Sequence, residues 1–306
     1  LYWVGRHVAR AEDTARILDV QVLRMLEDRA VDESVACGAL LGIMGVPPVD
    51  EPLGVSRVTE ALAFAGSGSS IVGSLNAARE HARGAREAIS SEMWECLNAT
   101  WNALPGQVEI AGAIGPHVFF RFVKERAAIM AGLADSTMSR DDGWRFLVLG
   151  RSLERVDMTA RLLWAGFNGF SGPPDWVATL RSCSAHEAFL RTYRRTVDAS
   201  RVAEFLLLDR LFPRSAFHSL DVAERCLAEL DPRAGRTGLE DEARRILGRA
   251  RTELEFRRVA ELIGELPSHL EALQAACAEA HAALSGRYFR RTAAIHWSRG
   301  GPEEPE

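Results

Sequence analysis

Apolar residues recur along most of this chain at intervals of three and four. Val4, Val8, Ala11, Ala15 and Leu18 fall on one narrow stripe of a helix turning about 100° per residue, and Leu149, Leu153, Val156, Ala160 and Leu163 do the same further on. Nowhere does a β-branched run alternate apolar and polar residues as a half-buried strand would, so the pattern predicts an all-α protein. It places helices over residues 1–30, 33–44, 53–65, 69–103, 110–134, 139–166, 175–192, 196–211, 215–230, 238–264 and 268–288. The expected breaks are Gly45 to Pro48, Gly66 to Ser69, Leu104-Pro105-Gly106, Gly172-Pro173-Pro174, Pro213 and Asp231-Pro232, where proline removes a donor and glycine costs entropy. Pro267 is expected to bend or end a helix.

Sliding the chain against itself exposes a long-range repeat. Gly5 to Leu18, GRHVARAEDTARIL, aligns without a gap on Gly150 to Leu163, GRSLERVDMTARLL, with seven of the 14 positions identical. Two further matches follow in order: SRVTEAL from Ser56 on SRVAEFL from Ser200, and SIVGSLNAARE from Ser70 on SAFHSLDVAER from Ser215. The pattern therefore predicts a helical bundle made of two diverged copies of one unit, residues 1–138 and 139–290, facing each other about a pseudo-two-fold axis, with residues 291–306 an acidic, frayed tail. That arrangement would set the helix of Arg6, Arg10 and Arg16 beside the helix of Arg151, Arg155 and Arg161. The first residues read as helix interior without an initiator Met, so a missing natural start is expected.

Composition changes the picture chiefly by exclusion. A length of 306 residues with 47% hydrophobic residues suffices for a sizeable core, and a net charge of -5 supplies no general field for a phosphate backbone, so no nucleic-acid partner is expected. Five separated cysteines without a CxxC pair read as reduced thiols, no run approaches a membrane span, and a cytoplasmic location is expected. There is no phosphate loop, GxGxxG, HExxH or GxSxG, and the eight histidines lack the Glu-x-x-His pairing of a bundle metal site, so neither cofactor nor metal is expected.

Candidate chemistry lies in the repeated helices, where Arg6, Arg10, Glu12, Asp13 and Arg16, and then Arg151, Glu154, Arg155 and Arg161, spread opposite the apolar stripe. Three readings stay open. The face is solvated and braced by i, i+4 pairs such as Glu12 with Arg16 and Asp157 with Arg161; or it is a buried arginine–carboxylate clamp between the units; or it is a polar site for a ligand or partner. Were the chain an enzyme, Glu12 and Glu154 would be the candidate acid or base. A second run aligns Arg79, Arg83 and Arg86 at i, i+4, i+7 for an anion, against the alternative of an exposed face. In FLLLDRLFPRS, Asp209 and Arg214 are expected to tie down a turn more than to act on a substrate, with Ser215 capping the next helix.

At GRHVARAEDTAR, AREHARGAREAISSEMWECLN, GRSLERVDMTARLL and FLLLDRLFPRS the chain resembles the bacterial alpha-E family, a helical domain named for its Glu-Arg motif. The pair is intact at Glu154-Arg155, whereas Ala9 stands where a Glu is usual before Arg10, and Asp13 and His81 replace typical Asn residues. The resemblance implies a companion of circularly permuted ATP-grasp ligases, in systems that make or modify amide bonds of a small peptide. On that footing the expected partners are an ATP-grasp-type ligase and a peptide substrate. The chain would be an accessory binding module using its arginines, with an enzyme in its own right and a purely structural scaffold as the alternatives.

Overall fold

The computed structural model describes residues 1–27, 32–46, 53–66, 68, 70–167, 175–194, 196–232 and 238–289. Among them there is no strand. The α-helices are, in order, α1 (Tyr2–Glu27), α2 (Glu33–Ile43), α3 (Val55–Thr59), α4 (Ile71–Arg83), α5 (Ser91–Ile114), α6 (His117–Thr137), α7 (Asp142–Phe167), α8 (Trp176–Ser182), α9 (His186–Tyr193), α10 (Ala199–Leu208), α11 (Ala216–Leu230), α12 (Glu242–Phe256), α13 (Val259–Gly264) and α14 (Leu266–Tyr288). A π-turn at Glu60–Phe64 extends α3, and a 3-10 turn at Arg86–Ala88 precedes α5.

Short polar side chains start many of these helices. Asp32, Ser70, Ser90, Asp175, Asp198, Ser215 and Asp241 each accept a hydrogen bond from a backbone N–H in the first turn, a cap worth about 1 kcal/mol. Such caps explain where the expected segments divide. The helix expected over 69–103 stops at Arg83, capped by Gly84, and restarts after Ser90. The one over 175–192 divides at Ser184, whose φ of 52° is left-handed, and the one over 238–264 at Arg257, where the backbone turns extended. In the opposite sense, α5 runs through Pro105 to Gly115, where the break was expected at Leu104-Pro105-Gly106. Losing one hydrogen bond at Pro105 is outweighed by packing a continuous helix along α6, with Leu104 and Ala111 buried. Pro267 sits in the first turn of α14, where its missing N–H costs nothing, so it starts a helix and does not bend one. The breaks expected around Pro47 and Pro173, and the tail, lie outside the described residues.

Two long helices form the centre. α1 packs along α7; α4 and α6 cover the rest of α1, while α11 and α14 cover the rest of α7. One feature of the sequence sets their spacing. A Cβ placed on Gly5 would overlap the carbonyl of Leu147, and a Cβ on Gly150 would overlap the carbonyl of Tyr2, so the two backbones touch through a reciprocal pair of glycines. Both glycines open the repeated segments. Apolar residues from these helices and their neighbours, Leu18, Leu62, Leu153, Leu163, Phe205 and Leu227 among them, fill the core with almost no exposure. No described helix is long and apolar enough to cross a membrane, and all five cysteines are free and buried.

Candidate functional site

Bringing α1 this close to α7 forces their charged residues inward. Glu12, Asp13, Glu154 and Asp157 are all buried while their arginines stay partly exposed, so the carboxylates of the face opposite the apolar stripe are turned into the seam between the two central helices. A carboxylate in such a place is tolerable only if cations answer it.

Glu154, wholly buried, is answered twice. Arg6 donates from Nε to Oε2 at 2.7 Å and Arg10 from Nε to Oε1 at 2.6 Å. Burial pushes this carboxyl upward, but Arg6 and Arg10 more than offset it and hold it below the ordinary range. The same partnership raises Arg6 against the effect of burial. Further along, Glu12 takes Arg16 at 2.7 Å and Arg214 at 2.5 Å, and Arg214 also holds Asp13 at 2.5 Å. Burial raises Glu12, yet Arg214 and Arg16 draw it down to about 2. Asp13, deeper still, is raised by burial despite Arg214. Asp157 pairs with Arg161 at 2.9 Å, which also approaches the carbonyl of Ile43. Arg16 donates in addition to Ser184.

Neither Glu12 nor Glu154 is thereby poised as a proton carrier at neutral pH, since a general base needs a carboxyl tuned upward and free to reach a proton. Of the arginines named from sequence, Arg6, Arg10, Arg16 and Arg161 are in the seam with carboxylate partners. Arg155 is in the seam without one. Its Nε is sealed from solvent and has no hydrogen-bond partner, and burial, with Arg214 and Arg151 nearby, lowers the guanidinium to about 10. Arg151 and Arg155 both line a cavity of about 30 Å³ beside Ala9. Arg155 also borders a gap of about 10 Å³ with Arg214 and Ser182, whose Oγ likewise has no partner.

The other candidates fall elsewhere. Arg79, Arg83 and Arg86 do not share one helix face, because Gly84 ends α4 and puts Arg86 in the 3-10 turn. Arg79 donates to Asn98 at 2.9 Å and lies over Trp101 at 4.3 Å, Arg86 lies over Trp94 at 4.7 Å, and Arg83 is exposed beside Glu80. Asp209 does tie its turn, accepting from the N–H groups of Leu211 and Phe212 at 2.9 and 2.7 Å, and Ser215 caps α11. Arg214, expected in the same turn, leaves it and crosses to α1.

Sequence reasoning missed a ring cluster at the Glu154 end. Trp3 stacks on His7 and His81, which stack on each other with centroids 5.5 Å apart, and Trp3 meets His281 edge-on at 4.9 Å. Tyr2 links the group to the seam, its hydroxyl 3.0 Å from His281 Nδ1 and 3.4 Å from Arg6. Burial, then Arg10 and His81, lower His7 to about 4; burial also lowers His81 and His281. These rings are neutral at pH 7. His7 and His81 both stand inside the motifs GRHVAR and AREHAR, which was the available signal. Among the described residues no three His, Cys, Asp or Glu side chains gather as a metal site.

A family model for Alpha-E, a predicted alpha-helical domain with a conserved ER motif, matches residues 1–289. An uncharacterized protein of Mycobacterium bovis and two of Mycobacterium tuberculosis are each 26% identical over 78% of this chain. The chain spans about 30% of the length of those relatives. No solved structure matches it.

Proposed function

This chain belongs to the Alpha-E family, and from that membership and the chemistry of the seam we propose that it is an accessory binding protein of an ATP-grasp-type amidoligase, helping to hold an acidic or peptide substrate while the ligase makes or modifies an amide bond. The single observation that carries a binding role over a catalytic one is the state of Glu154: buried, ionised and gripped by Arg6 and Arg10. A carboxylate held that way positions guanidiniums and does not exchange protons. What the seam offers to a ligand is arginine, and arginine suits the planar carboxylates of an acidic peptide.

In this reading the scaffold is a duplicated one, units of residues 1–138 and 139–290 related by a pseudo-two-fold axis near the Gly5–Gly150 contact. The reciprocal glycines and the matching Glu12–Arg16 and Asp157–Arg161 pairs support that relation. The reduced, buried cysteines suit a cytoplasmic setting. The test is reconstitution: the chain is expected to co-purify with an ATP-grasp ligase encoded beside it, and ligase turnover on a peptide acid to collapse without it. A ligase fully active alone would sink the proposal.

A further inference from the structure

The two ends of the seam are built from the matching segments, and a carboxylate that one end carries has no equivalent at the aligned position of the other. An offset of 145 carries Gly5 to Gly150, Arg6 to Arg151, Ala9 to Glu154 and Arg10 to Arg155. At one end Glu154 projects from α7 and receives Arg6 and Arg10 from α1. At the other the same relation points Arg151 and Arg155 from α7 at position 9 of α1, and position 9 carries only a methyl group.

Three observations mark that end as a place for an anion. Ala9, Arg151 and Arg155 do line one cavity of about 30 Å³, walled by Leu147, Met93 and Met130. The orphaned Nε of Arg155 is the counterpart of the Arg10 Nε that donates to Glu154. A buried donor left unpaired in this way keeps the desolvation penalty that a hydrogen bond would offset, and the penalty is larger for a charged group. Charge points the same way: Arg16, Arg155 and Arg214 act on Glu12 and Asp13, three cations against two anions, and Arg151 is a further cation beside Arg155. Glu12 also lines the cavity, but its carboxylate is taken by Arg16 and Arg214.

We infer that the space between Ala9, Arg151 and Arg155 is a binding slot for the carboxylate of an acidic ligand, which enters as a third party where the other half of the molecule carries its own glutamate. The slot admits a carboxylate and little else, so the rest of the ligand lies outside it. Two presentations have this chemistry, an acidic side chain and a chain-terminal carboxylate. The inference rests on the binding role of the seam and not on the identity of the ligase.

Melting of the whole chain in acetyl-glutamate-amide, in acetyl-alanine and in sodium chloride of equal ionic strength separates the sources. At least one acid is expected to raise the midpoint above the chloride value by roughly 2 °C or more, the size of shift that about 1 kcal/mol gives a chain longer than 150 residues. Whichever acid acts tells a side-chain from a terminal carboxylate. The rise is expected to vanish in Arg155→Met. Equal midpoints in all three solutions, or a rise that survives Arg155→Met, overturns the slot. Should Arg155→Met fail to fold, Ala9→Glu is expected to melt above Ala9→Gln, because the glutamate supplies the absent carboxylate; the reverse order also overturns the slot. A chain that binds these acids but no ligase retires the partner and leaves the slot standing, and the converse result retires the slot alone.

Discussion

The Glu154 end and the Ala9 end of the α1–α7 seam share a backbone contact and a pair of arginines, yet burial leaves its mark on opposite partners. With Glu154 present, the carboxyl is drawn below its ordinary range and Arg6 is raised, each charge stabilising the other. With Ala9 in that place, the strain falls on the arginine, and Arg155 drops to about 10. A buried ion pair contributes little net stability against an apolar replacement, whereas a buried lone charge is costly. An alanine opposite buried arginines therefore does not make an apolar interface. It leaves a cation in need of a partner.

The largest effect that would break this contrast is expected at the closed end. Glu154→Ala strands Arg6 and Arg10 together, both turned inward on the same space, and should cost about 3–5 kcal/mol, read as a fall in the denaturant midpoint at unchanged slope. A loss below about 1 kcal/mol would mean that the closed end is as well solvated as an exposed pair. Next comes the contact that both ends depend on. Gly5→Ala and Gly150→Ala each put a methyl group into a carbonyl of the facing helix, and should cost about 1–3 kcal/mol apiece by overpacking. Since either change alone pushes the helices apart, the double variant should lose less than the two single losses added together. Strict additivity would show that the two glycines do not share one contact.

How much of this was legible in the sequence follows from what each signal depends on. The all-α class was readable because helical periodicity is local and needs no tertiary partner, and the match of GRHVARAEDTARIL to GRSLERVDMTARLL is a comparison of residues alone. The i, i+4 pairs Glu12–Arg16 and Asp157–Arg161 were readable for the same reason. What the charged face packs against was not, because a polar stripe looks identical whether water or a second polar stripe lies over it. The direction of Arg214 was hidden likewise, since FLLLDRLFPRS shows a turn and not the helix on the far side of it. Misplaced ends such as the break at Pro105 reflect tertiary packing overriding a local rule. The rings of His7, His81 and His281 come from three helices distant in sequence, and only folding brings them around Trp3.

The smallest expected effect is the sharpest for the contrast, because it sets the same substitution at both ends. Arg10→Met removes one of the two guanidiniums holding Glu154 and leaves the carboxylate with Arg6 alone, so it should destabilise by about 1–3 kcal/mol, the cost of a buried charged acceptor losing a donor. Arg155→Met removes a buried cation whose Nε bonds to nothing, and Met fills the same path with polarizable, apolar volume. Glu12 and Asp13 feel Arg155 from a distance but keep Arg214, and Glu12 keeps Arg16 as well. The expected change is within about 0.5 kcal/mol of zero or a gain, as when buried charges give way to packed apolar residues. Equal losses in the two variants would show that Arg155 already has a partner as good as Glu154, and the two ends of the seam would then be alike.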